Sequence, residues 1–292
     1  MHIERSTKQM NGPLAQLVAL TCQGNAFMEG KEISRFFPDN STCQFCDHIH
    51  FIEFEKGIFG KPKEKVVADS PDDWFTYQKK KRITGFRMGR KPTDDPQISD
   101  RMSAGFVGGG GEWTLQAISE GFCDYWIARW EVWNQNAPER KIWRVDYGLV
   151  RSSQNTIYEL RDLEVVWKEF KESLVDIHDF SGSYTQDGFT DCFAKALVAI
   201  DDPDADIGYH KDLYISDLLS PLARSILKAA MSSWVYGGMG SWNDMGFDGE
   251  AQKEYDRVSE RHFSLLNEAI EVAASSSHRN NQAEQAVPPN GP

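Results

Sequence analysis

Four side chains that can ligate a metal ion occur within eight residues: Cys43, Cys46, His48 and His50. The two imidazoles are two positions apart in an aromatic and β-branched run, so we expect a strand that projects both to the same side. Thiolate and imidazole ligands suit zinc, and the pattern predicts a structural zinc site built from these four residues. The alternative is a turn with two ordinary thiols, because zinc modules usually bring their second ligand pair from a distant segment.

A second stretch, Ser232–Gly249, concentrates glycine and tryptophan between two predicted helices. Its glycines indicate a turn in backbone conformations that are costly for other residues. We expect Trp234 to pack inward with the preceding helix, which is predicted to end at Gly237. Aromatic side chains among charges are typical of protein interfaces. Three residues of the turn are therefore predicted to bind a partner: Trp242, Asn243 and Asp244.

Two other stretches match the pattern of a known site only in part. Gly108–Gly111 lacks the Gly-Lys-Ser/Thr ending of a phosphate-binding loop, so a bend is expected there. Asp201–Gly208 has carboxylates at alternate positions, as calcium loops do, but it contains Pro203 and is expected to be a solvated linker. The sequence motifs of serine hydrolases and zinc proteases are absent, so no catalytic residue is predicted.

The net charge of −12 is distributed unevenly along the chain. Residues 1–155 carry 21 basic and 20 acidic side chains, whereas residues 156–275 carry 10 basic and 23 acidic ones. An acidic surface repels nucleic acids and anionic lipids and attracts basic proteins. The sequence thus predicts no nucleic-acid and no membrane partner, and it favours a basic protein partner. The alternative is that acidity serves solubility alone.

Composition indicates a folded protein of the cytoplasm. Hydrophobic residues make up 40% and aromatic residues 12% of the chain, enough for a packed core. Five cysteines are spread thinly along the sequence, which favours reduced thiols over a disulfide framework. The apolar segment Pro13–Cys22 is too short to span a bilayer and has no credible cleavage site, so it is not interpreted as a signal peptide.

The hydrophobic patterns change from strand-like to helical near residue 156, and we predict an α+β fold. Phe122–Trp133 and Lys141–Val150 alternate and suggest a long antiparallel hairpin; Met102–Val107 is predicted to be a shorter strand. An N-terminal antiparallel sheet with one or two helices is expected, followed by a bundle of about four helices. The predicted divisions are an α+β domain, an acidic helical domain and a disordered tail: 1–155, 156–275 and 276–292.

Three functions remain open on this sequence. The first is a cytoplasmic bacterial protein-binding module, specifically an immunity protein that neutralises a basic toxin through its acidic helical half. The second is a metal-dependent enzyme with its site between the two domains, drawing on the Cys/His cluster or on Asp201–Asp212. The third is a structural or scaffold module without a small-molecule site. Oligomeric state is not predicted.

Overall fold

The computed structural model describes residue 10 and residues 12–56, 62–93, 97–106, 109–154, 159–185 and 188–279. Within these residues the predicted α+β class is confirmed. The strands are β1 (Cys46–Lys56), β2 (Pro62–Ala68), β3 (Gly85–Lys91), β4 (Glu112–Ile118), β5 (Phe122–Val132) and β6 (Trp143–Gln154). The helices are α1 (Gly12–Met28), α2 (Pro71–Lys80), α3 (Asp100–Ser103), α4 (Leu163–Tyr184), α5 (Phe189–Ala199), α6 (Pro221–Ser232) and α7 (Gly249–Ser275).

The six strands form one mixed sheet in the order β2-β1-β6-β5-β4-β3. Neighbouring strands are antiparallel except β1 and β6, which run parallel, so the predicted antiparallel sheet contains one parallel pair. The predicted strand at Met102–Val107 is wrong over its described part. Ser99 accepts a hydrogen bond from the Met102 amide and so caps the short helix α3, after which the chain turns. Residue 107 lies outside the described residues.

One face of the sheet, the inner face, is packed with aromatic rings from α2. Ser70 caps this helix by accepting from the Asp73 amide, and a proline follows it at the first helical position. The ring of Trp74 stacks on Phe51 at a centroid distance of 4.3 Å and meets Trp126 edge-on at 5.6 Å. These rings are fully buried, so the inner face is a core layer.

Helix α1 lies between the sheet and the C-terminal helices. Every residue from Leu14 to Ala26 is buried, which agrees with a composition that is apolar on all sides. The side chain of Asn25 donates to the Phe86 carbonyl (2.9 Å) and accepts from the Phe86 amide (2.7 Å). Because β3 is an edge strand, Asn25 satisfies backbone groups that have no strand partner on that side.

The second half consists of four long helices, α4 to α7, as expected. Helices α4 and α7 pack against each other, and Arg261 of α7 bridges them by ion pairs to Asp176 (2.5 Å) and Glu172 (3.2 Å) of α4. Two of the acidic side chains of this half are therefore paired along this contact. Helix α6 ends at Ser232 rather than at the predicted Gly237.

The proposed division into two domains stays a prediction, but side chains of both halves share one hydrophobic core. Helix α7 packs against β3 as well as against the other helices. The predicted tail starts too early, because Ser277 and His278 are buried and Ser277 accepts a hydrogen bond from Asn25 (2.7 Å). The rest of the predicted tail, 280–292, lies outside the described residues.

Candidate partner-binding site

The turn between α6 and α7 is anchored by Trp242, which is fully buried. The predicted role in partner binding would require this side chain to be exposed, which it is not. Its indole meets the rings of Phe189 and Phe193 edge-on, at 5.3 and 5.4 Å, and its Nε1 donates to Ser259 Oγ at 2.7 Å. The hydroxyl of Tyr255 donates to the Trp242 carbonyl at 2.6 Å. Trp242 therefore belongs to the core of the helical half and anchors the turn to helices α5 and α7.

Trp234 is only 7% exposed, so the prediction that it packs inward is confirmed. The inward orientation of Trp234 was predictable because it continues the helical spacing of apolar residues in α6. No such spacing includes residue 242. Only packing against α5 and α7 decides that the second tryptophan also points inward.

Asn243 is half-buried and links the turn to the segment around α3. Its side-chain nitrogen donates to the Arg101 carbonyl at 2.8 Å, while its oxygen accepts from the Arg101 guanidinium at 3.3 Å. Asp244 is exposed, and its carboxylate accepts a hydrogen bond from the Gly240 amide. Of the three predicted partner-binding residues, Trp242 is buried in the core, Asn243 links the two loops, and Asp244 is exposed at the surface.

The apex of the turn presents Met239, whose side chain is fully exposed. Gly240 follows with a φ of +82°, a conformation that favours glycine. The Ser241 hydroxyl donates to the Gly237 carbonyl at 3.0 Å and closes the base of the apex. A large apolar side chain thus projects from a turn whose backbone is held by local hydrogen bonds.

A second loop, residues 98–106, meets this turn at the backbone. A Cβ added to Gly105 would lie 2.4 Å from the Gly237 carbonyl oxygen, so the two loops touch closely enough that glycine is required. This loop exposes Met102 (56%) and Phe106 (73%). Sequence reasoning missed it because it predicted a short strand at Met102–Val107.

Arg101 fastens the second loop to helix α7. Its guanidinium is almost fully buried and pairs with Glu260 (2.9 Å) and Asp256 (3.3 Å), and it lies over the ring of Tyr255 at 5.3 Å. Arg101 also bonds Asn243, so one side chain connects both loops to the long helix. Because the two carboxylates offset the charge of the guanidinium, Arg101 adds little positive potential at the protein surface.

We call the exposed part of these two loops the turn surface: Met102, Phe106, Met239, Asp244 and Asp248. Residues 232–250 contain three carboxylates and no lysine or arginine. Asp244, Asp248 and Glu250 are all exposed. The turn surface therefore combines protruding apolar side chains with the exposed carboxylates of Asp244 and Asp248, whereas Glu250 is paired with Lys253 at 2.6 Å.

The four residues of the predicted zinc site are divided between two environments. Cys43 and Cys46 are buried; Cys43 donates to the Phe36 carbonyl, and Gln16 donates to the Cys46 sulfur at 3.7 Å. Burial raises the pKa of both thiols, that of Cys46 to about 11. His48 and His50 are partly exposed and lie beside Asp146. Among the described residues, the group with converging metal-ligand atoms contains the two histidines and Asp146, without either thiol.

The acidic stretch Asp201–Asp212 contributes to a clamp between the halves. Asp212 accepts from the amide (2.6 Å) and the hydroxyl of Ser41, whose Oγ lies 2.7 Å from His210 Nδ1. In a hydrolytic triad the histidine stands between serine and carboxylate, whereas here the serine is in the middle. This order favours a structural link over nucleophilic catalysis.

No protein-family model, curated protein or solved structure matches this chain. Its function must be inferred from its own surface and side-chain geometry. None of the described helices combines the length and apolar character needed to cross a membrane.

Proposed function

We propose that the protein is a cytoplasmic bacterial protein-binding module of the immunity kind, which neutralises a basic toxin by covering it with the turn surface. One observation carries the proposal: Met239 projects fully exposed from one loop, Met102 and Phe106 are exposed on a second loop that meets the first at Gly105 and Gly237, and Asp244 and Asp248 are exposed in the same turn as Met239. Isolated apolar side chains are common on protein surfaces, but several on adjoining anchored loops are typical of interaction sites.

The rigid support of the loops favours tight binding. Trp242 and Arg101 fix the backbone from beneath through buried hydrogen bonds and ring contacts. A surface that is already ordered loses less conformational entropy when it binds, so more of the contact energy appears as affinity. Methionine and aromatic side chains are also the residue types enriched at interface centres.

The charge of the helical half suggests the chemistry of the partner. Residues 156–275 have 13 more acidic than basic side chains, and the turn surface has exposed carboxylates without exposed basic residues in 232–250. Such a field speeds the approach of a basic protein and repels an acidic one. A toxin that acts on nucleic acid carries a basic surface for its substrate, which is the complement required.

The test is site-specific photo-crosslinking in cells of the native host, with the photoreactive residue at position 239. The matched control carries it at Val198, which is 65% exposed on α5 in the same acidic half. We expect a distinct adduct with a basic protein from position 239 and none from position 198. Equal adducts from both positions, or an acidic adduct from position 239, would count against the proposal.

The adduct partner is then purified, and its binding is measured by calorimetry at two salt concentrations. Met239→Ser and Phe106→Ser are each expected to weaken binding about tenfold or more, because interface centres carry most of the affinity. Val198→Ser should leave the affinity unchanged. Binding should weaken at the higher salt concentration, since exposed charges are screened.

A further inference from the structure

The outer face of the sheet carries a second cluster, on the side opposite the aromatic layer of the inner face. Strand β1 alternates, so Ile49 and Phe51 enter the core while His48 and His50 face outward. A register irregularity between residues 46 and 48 accompanies the change from the buried thiol to the exposed imidazole. The parallel pairing of β1 with β6 places Asp146 directly beside His50 on the same face.

The ligand atoms of these three side chains converge. His48 Nε2 lies 3.7 Å from Asp146 Oδ1, and His50 Nδ1 lies 3.8 Å from the same oxygen. All three ligand atoms lie within 4.8 Å of one another. Zinc bonds of about 2.0–2.2 Å in a tetrahedral site require ligand atoms about 3.3 Å apart, which small side-chain rotations would reach from this geometry. The two rings are stacked at 3.9 Å, so binding requires them to tilt toward the ion.

The opposite nitrogen of each imidazole faces another carboxylate. His48 Nδ1 lies 3.3 Å from Asp47 Oδ2, and His50 Nε2 lies 3.9 Å from Asp69 Oδ1. In metal sites a histidine commonly donates its distal N–H to a carboxylate, which fixes the tautomer and makes the ligating nitrogen more basic. His48 already has this arrangement with Asp47, whereas Asp69 would have to move closer to His50 to complete the second one.

The third ligand is oriented by an arginine. Arg129 donates to Asp146 Oδ2 at 2.9 Å, which leaves Oδ1 turned toward the imidazoles. Glu64 accepts from Arg129 at 3.0 Å and offsets its charge. The side chains remain accessible, with exposed fractions of 22% for His48, 28% for His50 and 17% for Asp146.

We propose that His48, His50 and Asp146 bind a divalent transition-metal ion, with zinc as the probe, on the outer face of the sheet. Asp47 and Asp69 are positioning residues that act through the two imidazoles. Three protein ligands leave a coordination position for water or a small ligand. A depression of about 190 Å³ shares Asp146 with this site and is otherwise lined by Arg129, Glu64 and apolar side chains that include Phe54 and Val150.

The proposal is independent of the turn surface and differs from the zinc site expected from sequence. The thiols of Cys43 and Cys46 are buried among protein partners. Asp146 replaces them, and it comes from a strand almost a hundred residues away in the sequence. The ligand set therefore contains nitrogen and oxygen only.

The first test is zinc titration of the full chain at pH 7.5, by calorimetry and by competition with a chromogenic chelator. We expect one zinc per chain and binding weakened about a hundredfold or more in the double variant His48→Gln/His50→Gln. Asp47→Asn should weaken it about 10- to 100-fold. His178→Gln is the matched control, because His178 is also partly exposed beside an aspartate, and it should leave binding unchanged.

A second measurement distinguishes the two ligand sets. Cobalt replaces zinc and reports its ligands, so the expected spectrum lacks thiolate-to-cobalt charge transfer, and Cys43→Ser/Cys46→Ser should bind zinc as the native chain does. Thiolate bands, loss of binding in the cysteine variant, or equal zinc affinity in the native chain and the histidine double variant would each overturn the proposal. Circular dichroism of every variant verifies that the fold is retained.

Discussion

The histidine behind the turn surface and the two histidines on the outer face of the sheet have opposite surroundings. His262 of α7 is fully buried against Phe170 and Phe193, and its Nδ1 lies 2.7 Å from the Tyr236 hydroxyl. Burial lowers its pKa to about 3, so it remains neutral across the physiological range. His48 and His50 lie among carboxylates and are open to solvent.

Buried side chains such as His262 support the turn surface, whereas His48 and His50 are themselves the candidate ligands. The turn surface depends on side chains that are also part of the core, so changes to its anchors alter stability and binding together. The outer-face cluster is held by the backbone ladder between β1 and β6, and its side chains project from that ladder. Changes there are expected to affect ligand binding while the fold keeps its stability.

The largest expected effect is that of Trp242→Ala. Removing a fully buried indole leaves a cavity and an unpaired Ser259 hydroxyl, so the free energy of unfolding should fall by about 3–5 kcal/mol. Urea denaturation followed by circular dichroism measures it. A loss below about 1 kcal/mol would show that the turn is not anchored through the core.

Acid should destabilise the protein through His262. Its pKa is about 3 in the folded state and near 6.5 when unfolded, so the unfolded chain takes up a proton first as the pH falls. Stability contributed by the neutral form is therefore complete above pH 6.5 and is lost as the pH falls toward 3. About 2–3 kcal/mol should be lost by pH 4.5.

The variant His262→Leu isolates this contribution. Urea denaturation at pH 7.5 and 4.5 should give a smaller loss for the variant than for the native chain, because leucine cannot be protonated. Identical losses in the two proteins would assign the acid sensitivity to other groups. In the variant His48→Gln/His50→Gln, the loss of stability between pH 7.5 and 4.5 should be almost the same as in the native chain, unlike in His262→Leu.

Arg101→Met should have an intermediate effect. It removes a buried guanidinium whose partners Glu260 and Asp256 are themselves about half exposed, so those carboxylates can regain water. The free energy of unfolding is expected to fall by about 1–3 kcal/mol, which is less than the cost of leaving a fully buried charge without a partner. Thermal unfolding measures the loss, and partner binding should weaken as well because Asn243 loses its clamp. If the variant still binds the partner as the native chain does, the link that Arg101 makes between the two loops is not needed for binding.

The smallest stability effect is expected for His48→Gln/His50→Gln in metal-free buffer. Both side chains are partly exposed and their ion pairs are long, so the free energy of unfolding should change by less than about 0.5 kcal/mol. Urea denaturation with a chelator present checks this. A large loss would mean that the cluster stabilises the pairing of β1 with β6.

Local chemistry explains which features were predictable. Ser70 and Pro71 mark the start of α2, because a capping hydroxyl and a preset φ act within one helical turn. The apolar spacing of α4 to α7 follows the helical period, so these helices were expected. The end of α6 was placed too late, because Trp234 continues the apolar pattern after the helical hydrogen bonds stop.

Within the candidate sites, the order of the amino acids specifies only which neighbouring side chains share a face or a turn. The alternation of a strand places His48 and His50 on one side, whatever that side later contacts. The run from Gly237 to Gly240 likewise determines a turn with Met239 near its apex, because glycine accepts the conformations that the turn requires.

Tertiary structure decided what these local features meet. The parallel pairing of β1 with β6 brings Asp146 to His50, packing among helices draws Trp242 inward, and the contact between Gly105 and Gly237 joins two distant loops. Each of these contacts joins residues far apart in the sequence, and periodicity contains no information about such pairs. Periodicity assigns a side chain to one face of its own helix or strand. Which other helix or strand packs against that face is determined by the burial of apolar surface in the core as a whole.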